Sequence, residues 1–315
     1  MKFIDIQNFI RKSTRFGLFI PISNLIVVYG HKILPKRFLS FISSRRNNKI
    51  QARLGYLVDD ALKKLPPSQP TVTTSLTSSP IWFCWLQGED AMPPLARLCL
   101  DSIRKNSQGH PVVIITEDNH HEYVSLDQIV YDRYHKGRLK KAHFADILRI
   151  NLLAQHGGLW LDATIYLADQ LPAYVFEMPF FSVKTVPTGF FVSQCRWAVF
   201  CLASHKGNQL FLYLAELFNE YLRQYNDFID YFLFDQFLDM LSKRIPDIAQ
   251  QIEKIPYNNP QLYSLQDLLD STFDSKTYER IRQNTFLFKL SLKQYDDREL
   301  TQNTANFYNH LANLR

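Results

Sequence analysis

The stretch from Lys141 to Thr164 reads KAHFADILRINLLAQHGGLWLDAT, and its periodicity sets the architecture of the chain. Phe144, Ile147, Leu148, Asn151 and Leu152 fall on one side of a helical wheel, with Lys140, His143, Asp146 and Arg149 near another, which predicts a helix from about residue 139 to 156. Gly157 can supply a left-handed C-cap. Leu159 to Leu161 then read as a strand, with Asp162 at its C-terminal end. In open α/β sheets ligands bind at that edge, because the loops there are free to turn toward a crevice.

Working outward, Ile81 to Trp85 (IWFCW) is a short run of β-formers and aromatics. Pro93 and Pro94 open a helix whose apolar positions Leu95, Leu98, Cys99 and Ile103 follow helical spacing. VVIIT (112–116) has the continuous apolar character of a parallel strand covered on both faces. Strand, helix and strand in about 35 residues form a βαβ unit, and the fold class is α/β. Of the 315 residues 46% are apolar and 21% charged, so the chain can bury a full core and is neither disordered nor fibrous.

Residues 1–65 hold 13 Lys/Arg against 3 Asp, whereas residues 66–315 hold 23 against 27 acids, so the net charge of +6 belongs to an N-terminal arm. The uncharged stretch 16–31 is shorter than the roughly 20 apolar residues of a spanning helix, and Pro21, Ser23 and Asn24 interrupt it. Cations on both sides suit a segment lying on an anionic leaflet; a helix packed on the main domain with a solvated basic face is the alternative. No small-residue cleavage site closes the run, against a signal peptide. Residues 66–80, rich in Pro, Ser and Thr, read as a linker, leaving 81–315 as the catalytic domain. Cys84, Cys99, Cys195 and Cys201 show no C-x-x-C or zinc spacing and read as reduced core residues of an intracellular protein.

The quoted stretch resembles the capsular polysaccharide synthesis proteins and, more distantly, the DXD-containing sugar transferases that include yeast Golgi mannosyltransferases and the clostridial glucosylating toxins. The shared pattern is a small residue, Asp, two apolar residues, Arg, an apolar helix, Gly-Gly, an apolar-aromatic-apolar strand and Asp. WFCWLQGED (82–90), VVIITEDN (112–119) and YFLFDQF (231–237) extend it over about residues 80–240. The resemblance implies a GT-A-like transferase fold in the domain that follows the helical, basic arm. A sugar-nucleotide donor needs its diphosphate charge stabilised and its hydroxyls held in one orientation. By resemblance Asp146 accepts from donor-sugar hydroxyls, Arg149 approaches the sugar and diphosphate, and Asp162 holds the ribose or sugar. The same likeness puts Trp85 under the nucleotide base, with a core position as the alternative. His143, three residues before Asp146, can reach phosphate or be structural, and Gly158 and Thr164 are placed with it on the donor side.

Thr164 stands where the family has the second Asp of its motif. A neutral hydroxyl binds Mn²⁺ or Mg²⁺ much less well than a carboxylate. A divalent cation held by Asp162 and Thr164 is expected, with another acid, or cations such as Arg149 or Lys140 acting alone, as the other possibilities. Asp235 is a candidate acid on the acceptor side, or part of a plain surface face with Asp239. The expected activity is transfer of a hexose from a nucleoside diphosphate sugar to a saccharide acceptor, lipid-linked and capsular or exopolysaccharide in kind, with retention implied by the toxin and mannosyltransferase likeness. The protein is then cytoplasmic and peripheral at the inner face of the plasma membrane, held to anionic lipid through residues 1–65, with no nucleic-acid partner. Two rivals remain: a non-catalytic module of degenerate fold that binds anionic membrane or nucleic acid through its basic arm, and a glycoside hydrolase, which explains neither Arg149 nor the Gly157-Gly158 turn.

Overall fold

The computed structural model describes residues 6–30, 32–65, 79–187, 191–295 and 297–313. Helices α1 (Ile6–Phe16), α2 (Phe19–Gly30) and α3 (Lys36–Lys64) come first, followed by β1 (Ile81–Cys84), α4 (Pro94–Asn106) and β2 (Val112–Ile115). Helices α5 (His120–Tyr123) and α6 (Gln128–His135) lead to α7 (Lys141–His156), β3 (Gly158–Leu161) and β4 (Ile165–Leu167). Next come α8 (Tyr174–Glu177), β5 (Phe180–Ser182), β6 (Cys201–Ser204), α9 (Gln209–Gln224), α10 (Leu233–Arg244) and α11 (Pro246–Lys254). The described chain closes with α12 (Ser275–Arg282), β7 (Leu287–Lys289), α13 (Asp297–Gln302) and α14 (Phe307–Ala312).

The α/β expectation holds. Five strands form a sheet in the order β2-β1-β3-β6-β5. β1 runs parallel to both β2 and β3, with Phe83 opposite Ile114 on one side and Leu161 on the other. β6 is antiparallel to β3 and to β5. All four residues of β3 are buried, as a central strand covered on both faces requires. β2 is an edge strand and keeps Val112 to Ile114 partly exposed, so the full two-sided cover expected for it is not reached. A separate two-stranded sheet pairs β4 with β7, with Ile165 opposite Lys289.

The turn between α7 and β3 has a steric cause. Gly157 and Gly158 have φ of +71° and +92°, a region that side chains disfavour. A Cβ on Gly157 would stand 2.5 Å from the Lys206 nitrogen, and one on Gly158 2.2 Å from the Pro80 oxygen. The close approach lets Leu159 N–H donate to Pro80 O at 2.9 Å and Trp82 Nε1–H to Gly157 O at 2.8 Å.

The described residues of the N-terminal arm, 6–30 and 32–65, are a layer of the domain in space. Ile50, Leu54, Leu57, Val58 and Ala61 of α3 are fully buried in the same core as β1 and β3, and α3 packs on α9 and α10. Lys64 pairs with Glu216 at 2.8 Å and Glu220 at 2.6 Å, and Arg11 and Arg15 pair with Asp227 at 2.7 and 3.1 Å. The boundary drawn at residue 65 therefore divides one core, because α3 packs on α9 and α10 as well as on α2 and buries its apolar stripe with the strands. Of the linker, residues 66–78 lie outside the described residues. A second apolar cluster joins Leu95, Leu98 and Cys99 of α4 to Tyr166, Phe288 and Phe307. Leu265 and Leu269 are fully buried at the two ends of a single 3-10 turn, Gln266–Leu268. All four cysteines are free, and burial pushes the Cys84 and Cys99 thiols up to about 12.

Candidate active site

Asp146 and Arg149 lie three residues apart on α7, and the glycine turn folds Asp162 back against them. Arg149 Nη1 donates to Asp146 Oδ1 and Nη2 to Asp162 Oδ1, each at 3.0 Å. Trp160 Nε1–H donates to the same Asp162 oxygen at 2.9 Å. The three groups named from the sequence thus meet at the C-terminal edge of the parallel strands. Their depths differ. The Arg149 side chain is 5% exposed, against 20% for Asp146 and 31% for Asp162. Its guanidinium lies 4.9 Å from the Trp160 ring centroid and 5.8 Å from that of Phe234, and its Nε is buried with no hydrogen-bond partner among the described residues. Arg149 bridges the two carboxylates from beneath, one terminal nitrogen to each.

The pairing of β4 with β7 brings in Lys289, which the sequence reading missed. Its ammonium donates to Thr164 Oγ1, lies 3.7 Å from Asp162 Oδ2 and sits 5.3 Å from the Phe200 ring centroid. A lone cation inside the apolar run TFLFKLSL (285–292) was the available signal, since a lysine in a covered strand needs a partner. The contact bears on the expected divalent cation. Asp162 has Arg149 at one oxygen and Lys289 near the other, and the Thr164 hydroxyl already accepts from Lys289. A divalent ion, which requires oxygens at about 2.0–2.6 Å, would compete with two fixed cations for every atom of the expected donor pair. Among the described residues no cluster of three His, Cys, Asp or Glu side chains is placed to hold a metal ion. The residues present do not fit the ion.

Trp85 follows β1 on the same edge, its N–H donating to Ile115 O at 2.9 Å; the ring is partly buried and its Nε1 has no partner among the described residues. His143 is buried, stacks on Phe228 at a centroid distance of 3.8 Å, and puts Nδ1 3.6 Å from Asp146 Oδ2. Gly158 was placed on the donor side, and the structure moves it away: it begins β3, about 13 Å of strand from Asp162, and packs on Pro80. Asp235 is likewise corrected. It is buried on α10 and accepts from Trp197 Nε1 at 2.8 Å. Burial pushes its carboxyl up to about 7 against that hydrogen bond, with the Asp146 and Asp230 charges adding to the rise. Its carboxyl is covered there by the packing of α10, and the surface face with Asp239 fails, because Asp239 is buried against Arg196, Gln51 and Lys243.

Beside His143 opens a cleft of 630 Å³ lined by Arg11, Lys12 and Arg15 of α1 and by Arg138 and Lys140 ahead of α7. Burial holds the Lys12 ammonium below its ordinary range, opposed chiefly by Asp230. His143 lines this cleft and also faces Asp146.

Among solved structures the chain is similar to the PaToxG glycosyltransferase, at 17% identity and a TM-score of 0.39, over 78% of this chain and 95% of that one. No curated protein matches it. The family described as capsular polysaccharide synthesis protein matches residues 31–311, a span that takes in α3 together with both sheets. The pattern that places Asp146, Arg149 and Asp162 on one edge lies inside that span, and the chain belongs to the family of capsular polysaccharide synthesis proteins.

Proposed function

We propose that the protein is a glycosyltransferase of GT-A-like build that moves a hexose from a nucleoside diphosphate sugar to a lipid-linked polysaccharide intermediate, with retention of configuration. The observation that carries this reading is the convergence of Asp146 and Asp162 on one buried guanidinium at the ligand edge of the sheet. Two part-exposed carboxylates locked in fixed orientation accept hydrogen bonds from sugar hydroxyls without first reorganising, the way a preorganised site favours one pose of the transferring ring. Trp85, one strand away, offers a π-face to the base. Arg149 acts through the carboxylates as a positioning residue.

The acceptor side is supported by charge and apolarity together. The cationic cleft adjoins Asp146 through His143, and a phosphate-bearing acceptor seated there would present its sugar to the donor site. Ile10, Leu18, Ile22, Val28, Ile33 and Phe41 are exposed on or beside α1 to α3, where Arg45 and Lys49 lie over the Phe41 and Phe19 rings. Apolar side chains fringed by cations suit the surface of an anionic leaflet on the cytoplasmic side. Among the described residues no helix is long and apolar enough to cross a membrane.

The test is release of nucleotide from a panel of UDP-, GDP- and TDP-sugars by purified protein in the presence of membrane extract. Asp146→Asn and Asp162→Asn are each expected to lower turnover at least about 100-fold. Full activity in both variants rejects the site.

A further inference from the structure

The donor diphosphate carries negative charge that grows as its bond to the sugar breaks, and something must meet it. In the motif that Asp162 and Thr164 resemble, two carboxylates and one divalent cation sum to zero charge. Here one carboxylate is replaced by the hydroxyl of Thr164, and a monovalent ammonium stands against the remaining one, so the sum is again zero. Thr164, at the position of the second acid, and Lys289 meet in space although they lie 125 residues apart in the chain.

We propose that Lys289 takes the place of the divalent cation at the donor diphosphate, so that this chain binds its donor without a metal ion. The proposal rests on the transferase reading and deepens it. An ammonium has three donors. One is engaged by Thr164, and Asp162 Oδ2 at 3.7 Å attracts the charge without taking a full hydrogen bond. Capacity remains for an anionic oxygen, and the side chain, 23% exposed, is within reach of one. Lys289 and Thr164 open into a cleft of 550 Å³ that Gln266 and Tyr263 also line. Gln266 is itself buried, its Oε1 accepting from Ser291 N–H while its Nε2 has no partner among the described residues. That amide N–H lies buried without an acceptor behind the wall of a cleft that holds a cation, and a small turn of the side chain would bring it to a phosphate oxygen beside Lys289. The register of β4 on β7, Ile165 opposite Lys289, fixes where the ammonium stands, and the Leu290 N–H bond to Thr164 O at 2.8 Å ties the two ends together.

The experiment measures binding of UDP, GDP and TDP by calorimetry, once in EDTA and once in Mn²⁺. One of the three is expected to bind with affinities that agree within about threefold between the two conditions. Lys289→Met is expected to weaken that binding about 10- to 100-fold, the loss of one charge-assisted contact, and Lys289→Arg to retain most of it. Thermal unfolding is followed alongside to separate loss of the contact from disturbance of the small sheet, and the double variant Thr164→Asp with Lys289→Met is prepared. That protein is expected to regain binding in Mn²⁺ and not in EDTA. Wild-type binding that requires Mn²⁺, or a Lys289→Met variant with unchanged affinity, overturns the proposal while the transferase reading stands. Absence of binding to any of the three nucleotides in either condition overturns both.

Discussion

Arg149→Met is the perturbation that separates a bridge from a surface salt link. The methionine keeps much of the stem packed against Trp160 and Phe234 and removes both hydrogen bonds to Asp146 and Asp162. Each charge-assisted bond is worth about 1.5–3 kcal/mol, and breaking a buried pair from one side costs about 3–5 kcal/mol. The carboxylates here are part-exposed, and Asp162 keeps the Trp160 N–H and the nearby Lys289, so the lower end applies, about 3 kcal/mol. In a domain of this size that lowers the unfolding midpoint on the order of 5 °C. The two like charges lose their common counter-ion at the same time. If their oxygens stand about 5 Å apart, the repulsion at an effective dielectric of roughly 20 is about 3 kcal/mol, enough to drive one carboxylate off its orientation.

Turnover, scored per folded molecule by nucleotide release, is therefore expected to fall at least about 100-fold in Arg149→Met. Arg149→Lys sharpens the comparison. A single ammonium restores the charge and can approach either carboxylate, but it lacks the planar fork that spans both. Its midpoint is expected to recover part of the loss, while its turnover stays near that of the methionine variant. Wild-type turnover in Arg149→Met, or full turnover in Arg149→Lys, would refute the claim that the bridging geometry is what orders the site.

Three further outcomes follow from the fold. Gly158→Ala should destabilise by about 3–5 kcal/mol, combining positive-φ strain with the contact to Pro80, while nucleotide affinity measured below the midpoint stays constant; weaker binding at an unchanged midpoint would return Gly158 to the donor site. Leu54→Ala should cost about 2–5 kcal/mol because that side chain is fully buried, whereas a loss below about 1 kcal/mol would make the N-terminal helices an appendage. Asp235 carries the pH dependence: its carboxyl goes from 3.8 to about 7 in the fold, so between those values the native chain holds a proton that the unfolded chain has released, and stability falls as pH rises. Asp235→Asn removes this slope, and its stability relative to wild type should rise by about 3 kcal/mol from pH 5 to pH 8; a constant offset across that range would contradict the raised value.

What could be read from the sequence was local. Asp146 and Arg149 are neighbours because a helix makes them so, and Asp162 follows because a glycine pair can reverse a helix into a strand within two residues. The depth of Arg149 was not legible, since burial depends on Phe234, 85 positions away in the chain. Gly158 looked like part of the site because it sits in the same motif, yet its cause is the carbonyl of Pro80 across the sheet. Asp235 and Asp239 alternate with apolar residues at helical spacing, and only the packing of α10 on α3 and α9 shows that both faces are covered. Thr164 was visible as a departure, but its compensation lies in another strand, and no spacing rule links residue 164 to residue 289.

The two cations at the site are of different kinds for a physical reason. The inner position must hold two carboxylates at once in a space closed by Trp160 and Phe234, and a planar, weakly hydrated guanidinium with two parallel donors does that where an ammonium cannot. The outer position must hold one hydroxyl and keep donors for a ligand that comes and goes, which suits a compact charge on a flexible stem. Arginine at the outer position keeps the charge and adds donors, so Lys289→Arg is tolerated; lysine at the inner position loses the bridge, so Arg149→Lys is not. The asymmetry between these reciprocal exchanges follows from what each position must hold, and it ties the orientation of the carboxylates to α7 and the charge at the rim to the β4–β7 sheet.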